Sequence, residues 1–261
     1  WSDVKGSNMP LIGEKSNAML RALTYRRLLD QPFFVSEWDI TWPNEWRATC
    51  PITMAAAAAF QGWNGLTIHT YRYRATSPVD CMGGVLLNGI GYRLNFDTFN
   101  DPARFGLFYN SALLYRRGDI SAANKTVGIQ VTEEKLRSLS PKLQNTHGAD
   151  CSAHIVPVLE YLTEQHKCGL LMPGHKASVD ATISTEETAS DVSDGVIVSD
   201  NGQFGRDWKK RLGWIDTDKS KAGYGFFSIN QPLILKGLKL TVRTPFAVIA
   251  LSSLTEESID G

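Results

Sequence analysis

Three acids and three tryptophans crowd one short stretch, FFVSEWDITWPNEW, residues 33 to 46. Phe33, Phe34 and Val35 read as a buried strand, and Glu37 sits at its mouth between Ser36 and Trp38. A positioned carboxylate can serve as a nucleophile or as a general acid or base. Trp38 and Trp42 lie close by, and an aromatic face stacks on the apolar face of a sugar ring, so this grouping suits a carbohydrate site. The same residues also fit a plainer reading: a surface acid in an ion pair, with the tryptophans in the core, because acids with altered properties occur in structural pairs too. A second strand, GLTIHTY (65–71), ends in His69 and Tyr71. His69 there could hydrogen-bond a sugar hydroxyl, hold Glu37 in place, or be a buried structural histidine. Tyr71 could donate to the nucleophile, stack on a ring, or pack. Asp39 and Glu45 read as solvated loop acids, with a supporting role behind the nucleophile as the other reading of Asp39.

The elements that position these groups alternate in type. Residues 14–29 carry Ala18, Ala22, Tyr25 and Leu29 at helical spacing. Asp30-Gln31-Pro32 breaks that helix before the strand 33–38. A second helix is expected over 47–61, with Pro51 in the tolerant first turn, the strong helix formers Ala55 to Ala59, and Gly62 as its stop. Helix, strand, helix, strand with short links is the pattern of parallel α/β architecture. In an α/β barrel the carboxyl ends of the strands line the active site, which would turn Glu37 and His69 toward one cleft. A third helix opens at Asp101-Pro102, an N-cap acid with proline at the first helical position, and stops at Gly118. Beyond about residue 125 the pattern changes. Residues 126–131 alternate as a strand, 151–166 could be helical, and 177–194 read as a long loop or linker. From Val196 onward short strands follow one another, with a hairpin signal at Asn201-Gly202. The expectation is a β-sandwich over 125–261. Trp208 and Trp214 in it would be sandwich core or a platform for a sugar.

Composition narrows the classes. The 261 residues carry 27 basic and 27 acidic side chains, a balance that argues against a dedicated nucleic-acid binder. No apolar run reaches the roughly 18 residues a membrane-spanning helix needs. Four cysteines, at 50, 81, 151 and 168, form no CxxC pair, so a zinc site is not expected, and disulfides are left open. His147, His154, His166 and His175 lack metal-ligand spacing and read as structural or surface residues. Asn124-Lys125-Thr126 matches a glycosylation triplet that also arises by chance. The opening Trp1-Ser2-Asp3 has neither an initiator methionine nor a leader pattern, and reads as cut from something longer or processed.

The segment FFVSEWDITWPNEWRATCPITMAAAAAFQGWNGLTIHTY resembles the seventh strand, seventh helix and eighth strand of a clan A retaining glycoside hydrolase, most closely a family 5-like or agarase-like bacterial hydrolase. DPARFGLFYNSALLYRRGDI and VIVSDNGQFGRDW are similar to that group's closing helix and C-terminal β-domain. The resemblance implies that residues 1–124 are the C-terminal part of a (β/α)8 barrel and 125–261 a β-sandwich. It implies Glu37 as the nucleophile and Trp38, Trp42, His69 and Tyr71 as the sugar subsite, with no metal or organic cofactor. The clan's acid/base follows an asparagine at the end of strand four, and no such strand is readable here. A companion polypeptide or a missing N-terminal segment is therefore expected to complete the barrel. The implied partner is a poly- or oligosaccharide, with no nucleic acid or membrane, and the implied location is extracellular or periplasmic. A non-catalytic carbohydrate-binding or structural module is the alternative.

Overall fold

The structure, a computed structural model, describes residues 8–13, 18–24, 26–71, 96–98, 101–143, 161–185 and 194–259. Cys81, Cys151, His147 and His154 lie outside the described residues, as does most of the possible helix at 151–166. Strands β1 (Phe34–Trp38) and β2 (Gly65–Ile68) run parallel and are joined by helix α2 (Cys50–Gln61). A short helix α1 (Ala18–Thr24) precedes them.

The sequence of α2 dictates its place as a middle layer. Ile52, Ala55, Ala56 and Phe60 form one apolar stripe, and Cys50, Met54, Ala57 and Ala58 form another. A helix apolar on two sides is stable only when both are covered. The second stripe packs with Val35 and Trp38 of β1. The first packs with Phe204, Ile215, Ala222 and Tyr224 of a five-stranded antiparallel sheet. Gly62 closes the helix at φ 64°, its N–H turned back to the Ala58 and Ala59 carbonyls, the left-handed end that glycine permits.

That sheet is made of β6 (Val196–Val198), β7 (Phe204–Asp207), β8 (Leu212–Asp216), β9 (Ser220–Phe226) and β12 (Phe246–Ser252). They lie in the order β12–β9–β8–β7–β6. The expected turn at Asn201-Gly202 joins β6 to β7, with Gly202 at φ 71°. A hairpin of β10 (Leu233–Leu235) and β11 (Leu238–Leu240) stands beside it.

The chain thus mixes helix with parallel and antiparallel sheet. Among the described residues no closed barrel is present: β1 and β2 pair only with each other. The sandwich expected over 125–261 is also modified. Strands β3 (Thr126–Gln130), β4 (Lys167–Leu171) and β5 (Ala181–Ser184) form a separate parallel sheet in the order β4–β3–β5, and β5 falls within the stretch read as a loop. The inner face of the antiparallel sheet is covered by α2. Helices α3 (Pro102–Phe105) and α4 (Phe108–Ala112), the latter continued by a π-helical turn Leu113–Arg117, replace the single helix expected there, and Gly118 ends the run at φ 76°. Helix α5 (Glu133–Leu143) and the one-turn α6 (Leu162–Gln165) flank the parallel sheet, whose core is Ile129, Val131 and Leu170.

Candidate functional site

The placement of Glu37 depends on one extra residue in β1. Val35 lies opposite Leu66, and Trp38 opposite Ile68, so three steps along β1 match two along β2. In a regular strand side chains alternate, and with Val35 buried Glu37 would point inward and Trp38 outward. The bulge reverses this. Ser36 and Glu37 are both exposed, and Trp38 turns back into the core. The Thr67 hydroxyl donates to the Ser36 carbonyl at the bulge.

The Glu37 side chain is 66% exposed, and its Oε1 lies 3.8 Å from His69 Nδ1. His69 follows β2 directly, and its backbone N–H donates to the Trp38 carbonyl at 3.1 Å. Its ring meets Phe96 edge-on, with centroids 5.1 Å apart. The acid and the imidazole therefore meet at the carboxyl ends of adjacent parallel strands. Two residues on, Tyr71 is exposed, its ring 5.6 Å from that of Phe105.

The tryptophans disperse. Trp38, expected to stack on a sugar, is 7% exposed in the core beside α2, a consequence of the bulge. Trp42 is half-buried on the following turn. Trp46 leaves the site altogether and wedges between Phe226 and Phe246, at 4.8 and 4.9 Å between centroids. The bonds Trp42-Pro43 and His69-Thr70 are cis. Glu45 is exposed and accepts a hydrogen bond from Asn8 Nδ2 at 2.8 Å, as a solvated loop acid would.

The Asp39 side chain, expected to be solvated on its loop, is instead buried and ion-paired with the fully buried Arg104. Arg104 also donates to Asp101 Oδ2 (3.2 Å) and to the Asp97 carbonyl. Asp101 accepts in turn from Arg47 at 2.6 and 3.0 Å, and caps α3 through Ala103 N–H. Burial pushes the Asp39 carboxyl above the usual aspartate range, and Arg104 opposes the shift only in part. The Cys50 thiol beneath is raised well above its ordinary value by its own burial and by Asp39. Asp101-Pro102 is legible in the sequence as a helix start. Nothing in the sequence links that cap to Arg47, 54 residues before it, or to the still earlier Asp39.

Among the described residues no group of three or more His, Cys, Asp or Glu is placed to hold a metal ion, and no helix is long and apolar enough to cross a membrane. Cys50 and Cys168 are free and buried. His166 pairs with Asp200 at 2.9 Å, away from Glu37 in a link between β4 and the turn after β6. No family model, curated protein or solved structure matches the chain.

Proposed function

We propose that the carboxyl ends of β1 and β2 belong to the site of a retaining glycoside hydrolase acting on a poly- or oligosaccharide, with Glu37 as the nucleophile. The observation that carries this reading is the bulge, which aims Glu37 outward beside His69 at the end of a parallel strand. The Glu37 carboxylate attacks the anomeric carbon while a second carboxylic acid protonates the departing oxygen. A covalent glycosyl-enzyme results. The second carboxylate then takes a proton from water, which attacks the same carbon and frees Glu37. His69 orients the Glu37 carboxylate, and Tyr71 and Trp42 line the approach. The chemistry needs two carboxylates and no cofactor.

Retention requires the two carboxyl groups to lie about 5 to 5.5 Å apart. Asp39 does not suit the second role, because it is buried and held by Arg104. The acid/base then comes from an upstream segment or a companion polypeptide that continues the (β/α)8 barrel. Among the described residues one face of this sheet is open, which supports this: Phe34 is 59% exposed, and Ser36, Glu37 and Thr67 are exposed beside it. Parallel sheets are ordinarily covered on both faces. In the same reading the antiparallel sheet and its hairpin are the two parts of a sandwich domain, and an extracellular or periplasmic location suits a polysaccharide substrate.

The openness of Glu37 favours a second reading, a non-catalytic carbohydrate-binding or structural module. Glu37→Gln in the longest native form of the polypeptide separates the two. Hydrolysis of an activated aryl glycoside should fall roughly 1,000-fold or more, about 4 kcal/mol of transition-state stabilisation, at an unchanged melting temperature. Equal turnover by the variant and the parent would remove Glu37 from the chemistry.

A further inference from the structure

The outer face of the antiparallel sheet holds a groove of about 260 Å³ that does not involve Glu37. Its floor is Trp214. Strand alternation turns Gly213 and Ile215 toward α2 and leaves Trp214 on the outer side. Its cross-strand neighbours are both glycines, Gly205 on β7 and Gly223 on β9. A side chain at Gly205 would hold the indole off the sheet: a Cβ there would lie 2.5 Å from Trp214 Cζ2 and 2.9 Å from Cε2. The ring therefore lies against the Gly205 backbone, and Trp214 remains partly exposed. At Gly223 the same space is taken by Leu233 and Leu240, so the β10–β11 hairpin forms one wall. Asp207 and Lys210 stand on the opposite wall, and Gln231 and Ile234 at the rim. Asp207 is buried; its Oδ1 accepts the Lys210 N–H at 2.8 Å and its Oδ2 lies 3.2 Å from Lys210 Nζ.

We infer that this groove binds a neutral saccharide, with Trp214 as the platform. A pyranose has an apolar C–H face and a rim of hydroxyls that both donate and accept. The indole meets the face. The Asp207 carboxylate, the Lys210 ammonium and the Gln231 amide supply both kinds of partner to the rim. The volume is just under the roughly 300–1,000 Å³ of ordinary ligand clefts, which suits one ring seated in depth, with its chain neighbours running out past the exposed Ile234. A flat aromatic ligand would use the indole but none of the polar groups beside it. A charged sugar would add a third charge to the Asp207–Lys210 pair, which already balances.

The site is independent of the catalytic reading. Titration calorimetry with cellohexaose, mannohexaose and xylohexaose tests it on the whole chain. At least one of the three should bind, and Trp214→Ala should weaken that binding about tenfold or more, with partial recovery in Trp214→Phe. Glu37→Gln should leave it unchanged; loss of binding there would put the ligand at the strand ends and overturn the proposal. The exposed pair Lys210→Ala and Gln231→Ala, combined, should also weaken binding while the chain stays folded, and this decides the matter if Trp214→Ala does not fold. Absence of binding by all three sugars, or full affinity in either folded variant, overturns the assignment.

Discussion

Arg104 is fully buried between two carboxylates, so its removal leaves charges that water cannot reach. Arg104→Met keeps much of the bulk and deletes the charge. Breaking a buried pair from one side costs about 3–5 kcal/mol, and urea unfolding should show a loss of that size. Arg47 still neutralises Asp101, so the penalty concentrates on Asp39. Adding Asp39→Asn to Arg104→Met should therefore recover part of the loss, a non-additivity that independent sites would not show. Asp39 also makes a pH prediction. Its folded-state pKa is raised by burial, above an unfolded value of about 3.9. Between those two values the folded state holds more protons than the unfolded one, so the Asp39 contribution to stability falls as pH rises through that window and is flat on either side. The difference in unfolding free energy between parent and Asp39→Asn, measured from acid to neutral pH, should decline in that direction. A rising difference would mean that Arg104 outweighs burial.

At the scale of elements, α2 is legible in the sequence almost to the residue, because every signal is local: proline in the first turn, an alanine run, and glycine at the end. The prediction that goes with it is equally local. Gly62 has φ 64°, and no atom lies within 4 Å of the place a Cβ would occupy, so Gly62→Ala should cost about 1 kcal/mol for the left-handed backbone alone. Gly205→Ala meets the Trp214 ring and a neighbouring carbonyl, and thermal unfolding should rank it well below Gly62→Ala. The β1 bulge is not legible, since an extra residue shows only against the partner strand. It decides the candidate site: the setting of Glu37 is enough to single it out, but Trp38 lies on the opposite side from the one expected of it. The parallel sheet escapes the sequence for a similar reason. Its strands β3 and β4 are separated by more than thirty residues, and β5 is four residues long among serines and threonines that resemble a loop.

At the scale of the molecule, the consequence of a two-sided helix is that, among the described residues, neither flanking sheet has a complete core of its own. The antiparallel sheet needs Ile52 and Phe60 over Ile215 and Tyr224, and β1 needs Met54 and Ala57 over Val35 and Trp38. Trp46 adds a clamp, leading from the β1 end into the Phe226–Phe246 pair. Gln61 adds another, with its amide donating to the Thr163 and His166 carbonyls at 2.7 Å each and accepting the Cys168 N–H at 3.0 Å. Layers joined in this way should open together. Ile215→Ala removes a fully buried side chain from the sheet, at a cost of about 2–5 kcal/mol for such truncations. Native-state hydrogen exchange should then show the same loss of protection in β8 and β9, in α2 between Met54 and Phe60, and in β1, although no β1 residue belongs to the core cluster that holds Ile215. A loss confined to the antiparallel sheet would mean that α2 and β1 draw their stability from elsewhere, and the three-layer unit would then be two units that only touch.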